Sequence, residues 1–190
     1  MSKKAGKQIE IEMRAMFDKN KHDEIKVFLD EKAEDLGEDD KDVWFFLLPD
    51  KFAKVTKNES KGTAKMTLKL NRPGRGSSGF EEIEYPISPD DFDKAVKLFS
   101  NLPFDERQNS YQKRHNYLYK GVELALKFTE TWGYHLEFEV LISDSTRQKE
   151  AEKKICKVAD ELGTHILSEQ ELDEITKRID EEYRQGRYKK

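Results

Sequence analysis

Residues 8–17, QIEIEMRAMF, alternate strictly: Ile9, Ile11, Met13 and Ala15 share one parity, and Glu10, Glu12 and Arg14 share the other. A period of two predicts a β-strand with an apolar and a charged face. Strand-like segments recur at 42–48, 52–58, 63–71, 79–87, 110–119, 121–128 and 134–142, making eight expected strands in all. A period near 3.6 predicts four helices, over 20–36, 89–100, 146–162 and 169–184. The first carries the stripe Ile25, Phe28, Leu29, Ala33, Leu36 and is expected to stop at Gly37. Ser88 and Pro89 open the second, and Ser168 with Glu171 forms a capping box for the fourth. Turns are expected at "PDK" (49–51), "NRPGRGSSG" (71–79) and "KG" (120–121).

Splitting each strand by parity collects charge on one side. Glu-x-Glu occurs at 10/12, 82/84 and 137/139, while cations recur at Arg14, Lys54, Lys65, Lys69 and Lys127. Strand 110–119 reads either way: Gln112, Arg114 and Asn116 lie opposite Tyr111, Lys113, His115, Tyr117 and Tyr119. On a flat sheet such a face is simply wet. If the strands close into a barrel with helices over its apolar outside, the charges line a tunnel, and so confined a set requires a charged ligand and metal ions. Glutamate oxygens suit Mg²⁺ or Mn²⁺, and Lys and Arg suit phosphate oxygens, so the residue types point to a metal–triphosphate complex.

Composition narrows the classes. The 190 residues suit one domain spanning 1–190, with a core at about 8–184 and a short basic tail, YRQGRYKK. Charged residues make up 39% and aromatic residues 11%, which fits a folded protein with a very polar surface. A net charge of −4 gives no general field for nucleic acid, so no DNA partner is expected. The single cysteine, Cys156, excludes an internal disulfide and is expected to be partly buried beside Ile155 and Val158. No apolar run reaches the length of a membrane span and the start lacks a signal-peptide pattern, so a cytoplasmic protein with no membrane partner is expected. His22, His115, His135 and His165 show no zinc spacing, Trp44 and Trp132 read as core anchors, and NRPGRG precedes no helix and is not a P-loop.

The ordered motifs resemble the CYTH family, the triphosphate tunnel metalloenzymes. EIEMR resembles the family's Glu-x-Glu-x-Lys signature, MTLK (66–69) its lysine-ended strand, and FEEIEY (80–85) its Arg-x-Glu-x-Glu strand. KRHNYLYKGVELALKFTETWGYHLEFE resembles its long hairpin and final acidic pair, and ADELGTHILS its helix ending in Leu-Gly. The resemblance implies an α+β fold: an eight-stranded antiparallel β-barrel around a triphosphate tunnel, with helices packed outside. It implies one or two divalent ions, Mg²⁺ or Mn²⁺, bound by Glu10, Glu12, Glu137 and Glu139. It further implies catalytic roles for Glu10, Glu12, Glu84 and Arg114, and substrate contacts from Arg14, Lys54, Lys65, Lys69, Glu82, Arg114 and Lys127.

The match departs from the family pattern at Arg14 (usually lysine), at Thr56, Phe80 and Gln112 (usually cations) and at Lys127 (usually aspartate). The acids are therefore better kept than the bases. The implied activity is metal-dependent hydrolysis of an inorganic, nucleoside or thiamine triphosphate. A class IV adenylyl cyclase reaction from ATP to cyclic AMP and pyrophosphate, and non-catalytic nucleotide or polyphosphate binding, remain alternatives. The expected partner is a small triphosphate-containing molecule, with a homodimer left open.

Overall fold

The computed structural model describes residues 9–70 and 82–188. The chain runs β1 (Ile9–Phe17), α1 (Lys19–Lys32), β2 (Glu34–Glu38), β3 (Lys41–Leu47), β4 (Phe52–Asn58), β5 (Thr63–Lys69), β6 (Glu82–Ile87), α2 (Phe92–Ser100), β7 (Glu106–Tyr119), β8 (Val122–Thr129), β9 (Gly133–Ile142), α3 (Gln148–Glu161) and α4 (Glu169–Arg184). All the strand pairs are antiparallel, in the order β1-β9-β8-β7-β3-β4-β5-β6, with β2 also on β7.

The expected barrel does not form. No ladder joins β1 to β6 among the described residues, so the sheet is open, with nine strands where the alternation predicted eight. The sheet is nevertheless strongly curled. Five strands separate β1 from β5 in the order, a span of about 29 Å if flat. Yet Lys69 on β5 lies close enough to Glu10 of β1 to lower its pKa, so the charged face is concave, and without a β1–β6 ladder among the described residues it is an open trough.

Each half of the sheet has its own apolar backing. Behind β1, β9, β8 and β7, side chains such as Ile11, Ala15, Tyr117, Leu124, Leu136 and Phe138 pack with Ile25 and Leu29 of α1 and with Ala151, Ile155 and Val158 of α3. Behind β3, β4 and β5, Phe46, Ala53 and Val55 pack with Phe92, Ala95, Val96 and Phe99 of α2. This is the apolar parity the alternation predicted, covered by the predicted helical stripes. At the remaining end, α4 starts from a loop whose Leu167 N–H donates to the Arg14 carbonyl on the β1 edge. It finishes on β7, where Gln108 donates to Asp180 (2.9 Å), Arg184 donates to Glu106 (2.7 Å) and the Tyr183 hydroxyl donates to the Asn109 carbonyl.

Two local expectations are corrected. The helix expected over 20–36 stops at Lys32, and Glu34–Glu38 forms β2, with Leu36 exposed rather than inward. Cys156, expected to be partly buried, is exposed. Strand 110–119 starts earlier, at Glu106, and its ambiguous face is settled by register: Arg114 sits opposite Lys127 and Gln112 opposite Lys41, on the charged side. The hairpin at Lys120-Gly121 is as read, with positive φ of 50° and 68° at the two turn residues.

Candidate functional site

Ladder register puts the expected charged residues on one face. Glu12 lies opposite Glu139, which lies opposite Glu123, while Arg14 lies opposite Glu137. Lys54 lies opposite Thr67, which lies opposite Glu84, and Lys65 and Lys69 share their parity on β5. Loop residues 71–81, with NRPGRG and Phe80, and the side chain of Glu82 lie outside the described residues.

One wall is acidic. Burial and the neighbouring charges of Glu139 and Glu12 push the Glu10 carboxyl up to about 8, offset in part by Lys69. Burial, with Glu123 and Glu12, pushes Glu139 up to about 7. Carboxylates brought together and taken from water resist ionising together. These hard oxygen donors fit the divalent ion that the family implies, because such an ion would relieve that repulsion. Among the described residues, no three His, Cys, Asp or Glu side chains converge as a ready-made metal cage.

The floor of the trough is an ion-pair network around Glu137. Arg14 Nε donates to Glu137 Oε1 at 3.1 Å, and Lys127 Nζ to Oε2 at 3.0 Å, with Arg114 Nη1 at 3.7 Å from Oε2. Burial opposes the charge on Glu137, but Lys127, Arg14 and Arg114 outweigh it and hold the carboxyl well below 4.5. Arg14 also pairs with Glu12 and lies over Trp132, its guanidinium carbon 5.2 Å from the ring centroid. That gives Trp132 a role beyond the core anchoring expected of it. Glu137, expected beside the acids, is thus held by cations instead.

His135 is buried next to this network. Its Nδ1 donates to the Gly133 carbonyl at 2.9 Å, and burial with the nearby Lys127 pushes its pKa down to about 3, so it is neutral. On the far wall, Lys65 pairs with Glu84, which also accepts from the Thr67 hydroxyl at 3.4 Å. Burial works against the Glu84 charge, but Lys65 and Lys54 carry its pKa below the usual value.

The alternation did not reveal Asp39, 3% exposed at the break between β2 and β3. Its carboxylate meets Lys41 at 2.6 Å, Lys61 at 2.9 Å and Arg114 Nε at 3.3 Å, and accepts amide hydrogens from Asn58 at 2.6 Å and Asn116 at 3.3 Å. Burial opposes its charge, yet Lys41 and Lys61 bring its pKa far below the usual range. In the sequence it sits inside the polar run GEDDKD, where the expected helix ends and the next expected strand begins. Lys41, one residue before the expected strand, was missed for the same reason.

The fold has counterparts. It is similar to the PH1012 protein of Pyrococcus horikoshii, with 26% identity, a TM-score of 0.66, and 82% of this chain and 91% of that one covered. A conserved hypothetical protein of Pyrococcus furiosus is similar at 27% identity, a TM-score of 0.66 and the same coverage. A candidate adenylyl cyclase from Hippeastrum, whose dominant activity is that of a triphosphatase, shares the fold at 18% identity and a TM-score of 0.58, covering 84% of this chain and 89% of its own. None of the curated proteins matches the sequence. The CYTH domain model matches residues 8–171, from the first acid pair of β1 into the first turn of α4. Carrying that match through the whole charged trough, the chain belongs to the CYTH domain family.

Proposed function

We propose that the trough binds a triphosphate group together with Mg²⁺ or Mn²⁺ and hydrolyses it. The observation that carries this reading is the division of charge: Glu10 and Glu139, raised to about 8 and about 7, stand on one wall, and cations stand on the floor and the far wall. Glu10, Glu12 and Glu139 are the side chains that would hold the divalent ion. Bound there, the ion would neutralise phosphate oxygens and make a bound water easier to deprotonate.

The chain's own residues do the remaining work. Arg14, Lys127 and Arg114 present N–H donors to phosphate oxygens and stabilise charge that builds on the transferred phosphoryl group. Lys54, Lys65 and Lys69 hold the rest of the substrate, with Glu84 ordering Lys65. The oxygen of an attacking water bonds to phosphorus, the bond to the leaving phosphate breaks, and the water's proton passes to a glutamate of the acid wall.

A second reading, binding without turnover, has its own support: Arg14 and Lys127 are already paired to Glu137, so a ligand could be held without the cations being free to follow the transition state. One experiment separates the readings. The protein is incubated with tripolyphosphate, ATP and thiamine triphosphate, each with Mg²⁺ or Mn²⁺, and the products are resolved. Orthophosphate release supports hydrolysis, cyclic AMP with pyrophosphate selects the cyclase, and measurable binding without product selects the second reading. Neither binding nor turnover overturns all three.

A further inference from the structure

The geometry points to a phosphate-binding subsite at the break between β2 and β3, where Lys41 contacts the anion beside Arg114 and Asp39 positions both cations. The inference deepens the functional reading above and rests on it.

Lys41 is on the trough face because it lies opposite Gln112 on β7 and Asn58 on β4. Asp39 itself is fixed. Its backbone N–H donates to the Arg114 carbonyl at 2.8 Å, and the next residue, Asp40, accepts the Arg114 N–H on its side chain at 2.8 Å. The Asp39 carboxylate is therefore held by backbone and by two amides before any cation is counted.

The charges around it do not balance. Lys41, Lys61 and Arg114 surround the Asp39 carboxylate, and the Asp40 carboxylate sits on the Arg114 backbone N–H, so the cations outnumber the adjacent carboxylates three to two. Glu137 lies farther from Arg114, at 3.7 Å, and is shared with Arg14 and Lys127. Burial lowers the Lys41 pKa, and the charges of Arg114 and Lys65 press it in the same direction. An ammonium has three donors, and Lys41 directs one at Asp39. The others suit phosphate oxygens, and an anion there would offset the crowding of Lys41, Arg114 and Lys65. Lys41 also extends a run of cations on neighbouring strands, from Lys127 on β8 through Arg114 on β7 to β3. At about 4.8 Å per strand, that run is long enough for more than one phosphate.

Calorimetry with tripolyphosphate on the full chain tests this. Lys41→Met should weaken affinity roughly tenfold or more, the scale of a lost charged hydrogen bond, and Lys41→Arg should retain most of it. A second measurement needs no variant: bound tripolyphosphate should protect Lys41 from an amine-acetylating reagent, read by peptide mass spectrometry. If the parent binds and Lys41→Met binds equally well, or Lys41 is acetylated equally with and without ligand, the subsite is overturned while the functional reading stands. If the parent does not bind, both fall.

Discussion

Arg14 joins both halves of the site chemistry, paired with Glu12 along its own strand and with Glu137 across the ladder. Its parity was legible in EIEMR, and the structure adds the partners. Arg14→Ala should weaken tripolyphosphate binding by roughly 1.5–3 kcal/mol, and Arg14→Lys by less because a point charge remains. Calorimetry on the two variants checks the order. Glu137 makes a different prediction. Lys127 is 6% exposed and its ammonium is held by Glu137, so Glu137→Gln leaves a buried cation without its counter-ion. That change should destabilise the fold by roughly 3–5 kcal/mol in urea unfolding, and adding Lys127→Met should recover part of the loss. Because Glu137 is held well below 4.5, its contribution is full above the unfolded-state value and disappears as pH falls through the folded one.

At the scale of elements, the helical period and the observed helix coincide where a cap and an apolar face agree. Helix α4 spans Glu169–Arg184 with both halves of its capping box made, as Ser168 and Glu171 indicated. The stripe of 20–36 was misleading past Lys32, because Leu36 falls at helical spacing by coincidence. Residues 34–38 instead find hydrogen-bond partners on the long strand β7, a contact 80 residues away that no local period reports. Gly37, read as a helix stop, resumes pairing just after the bulge at Leu36, with φ of 85° and its N–H bonded to Asp35 Oδ1 at 2.7 Å. An added Cβ would meet nothing within 4 Å, so the cost of Gly37→Ala is backbone strain. We expect about 1–2 kcal/mol by denaturant unfolding. A loss near zero would mean that the bulge does not constrain β2.

For the whole molecule, the curl of the open sheet decides the electrostatics. It brings Lys69 within range of Glu10, while ladder register crowds the acids of β1, β9 and β8. Raised carboxyl pKa values have a definite sign. Glu10 and Glu139 favour the fold fully below about 4.5, and that contribution is lost as pH rises through about 7 for Glu139 and about 8 for Glu10. His135 runs the other way: its depressed pKa gives stability above 6.5 that is lost as pH falls toward about 3. The metal-free protein should therefore lose melting temperature between pH 6.5 and 9, and Glu10→Gln with Glu139→Gln should flatten that fall. Millimolar Mg²⁺ or Mn²⁺ should raise the melting temperature of the parent at pH 8 and have much less effect on the double variant. A parent insensitive to both pH and metal would show that the acid wall is well solvated and binds no ion.

The sequence by itself determined which side chains share a face, because strand parity is a local property, and it determined the helical stripes that cover the opposite face. It was enough to indicate the CYTH family and the acid and base sets of the trough. Closure was decided only in three dimensions: alternation is the same in a barrel and in an open curled sheet, and the difference lies in whether β1 and β6 meet. The pairing of Glu137 with cations, the neutrality of His135 and the Asp39–Lys41–Arg114 cluster were likewise tertiary outcomes. Each depends on which strands become neighbours and on how much water is removed between them, and both are set by long-range register rather than by the order of residues within any one strand.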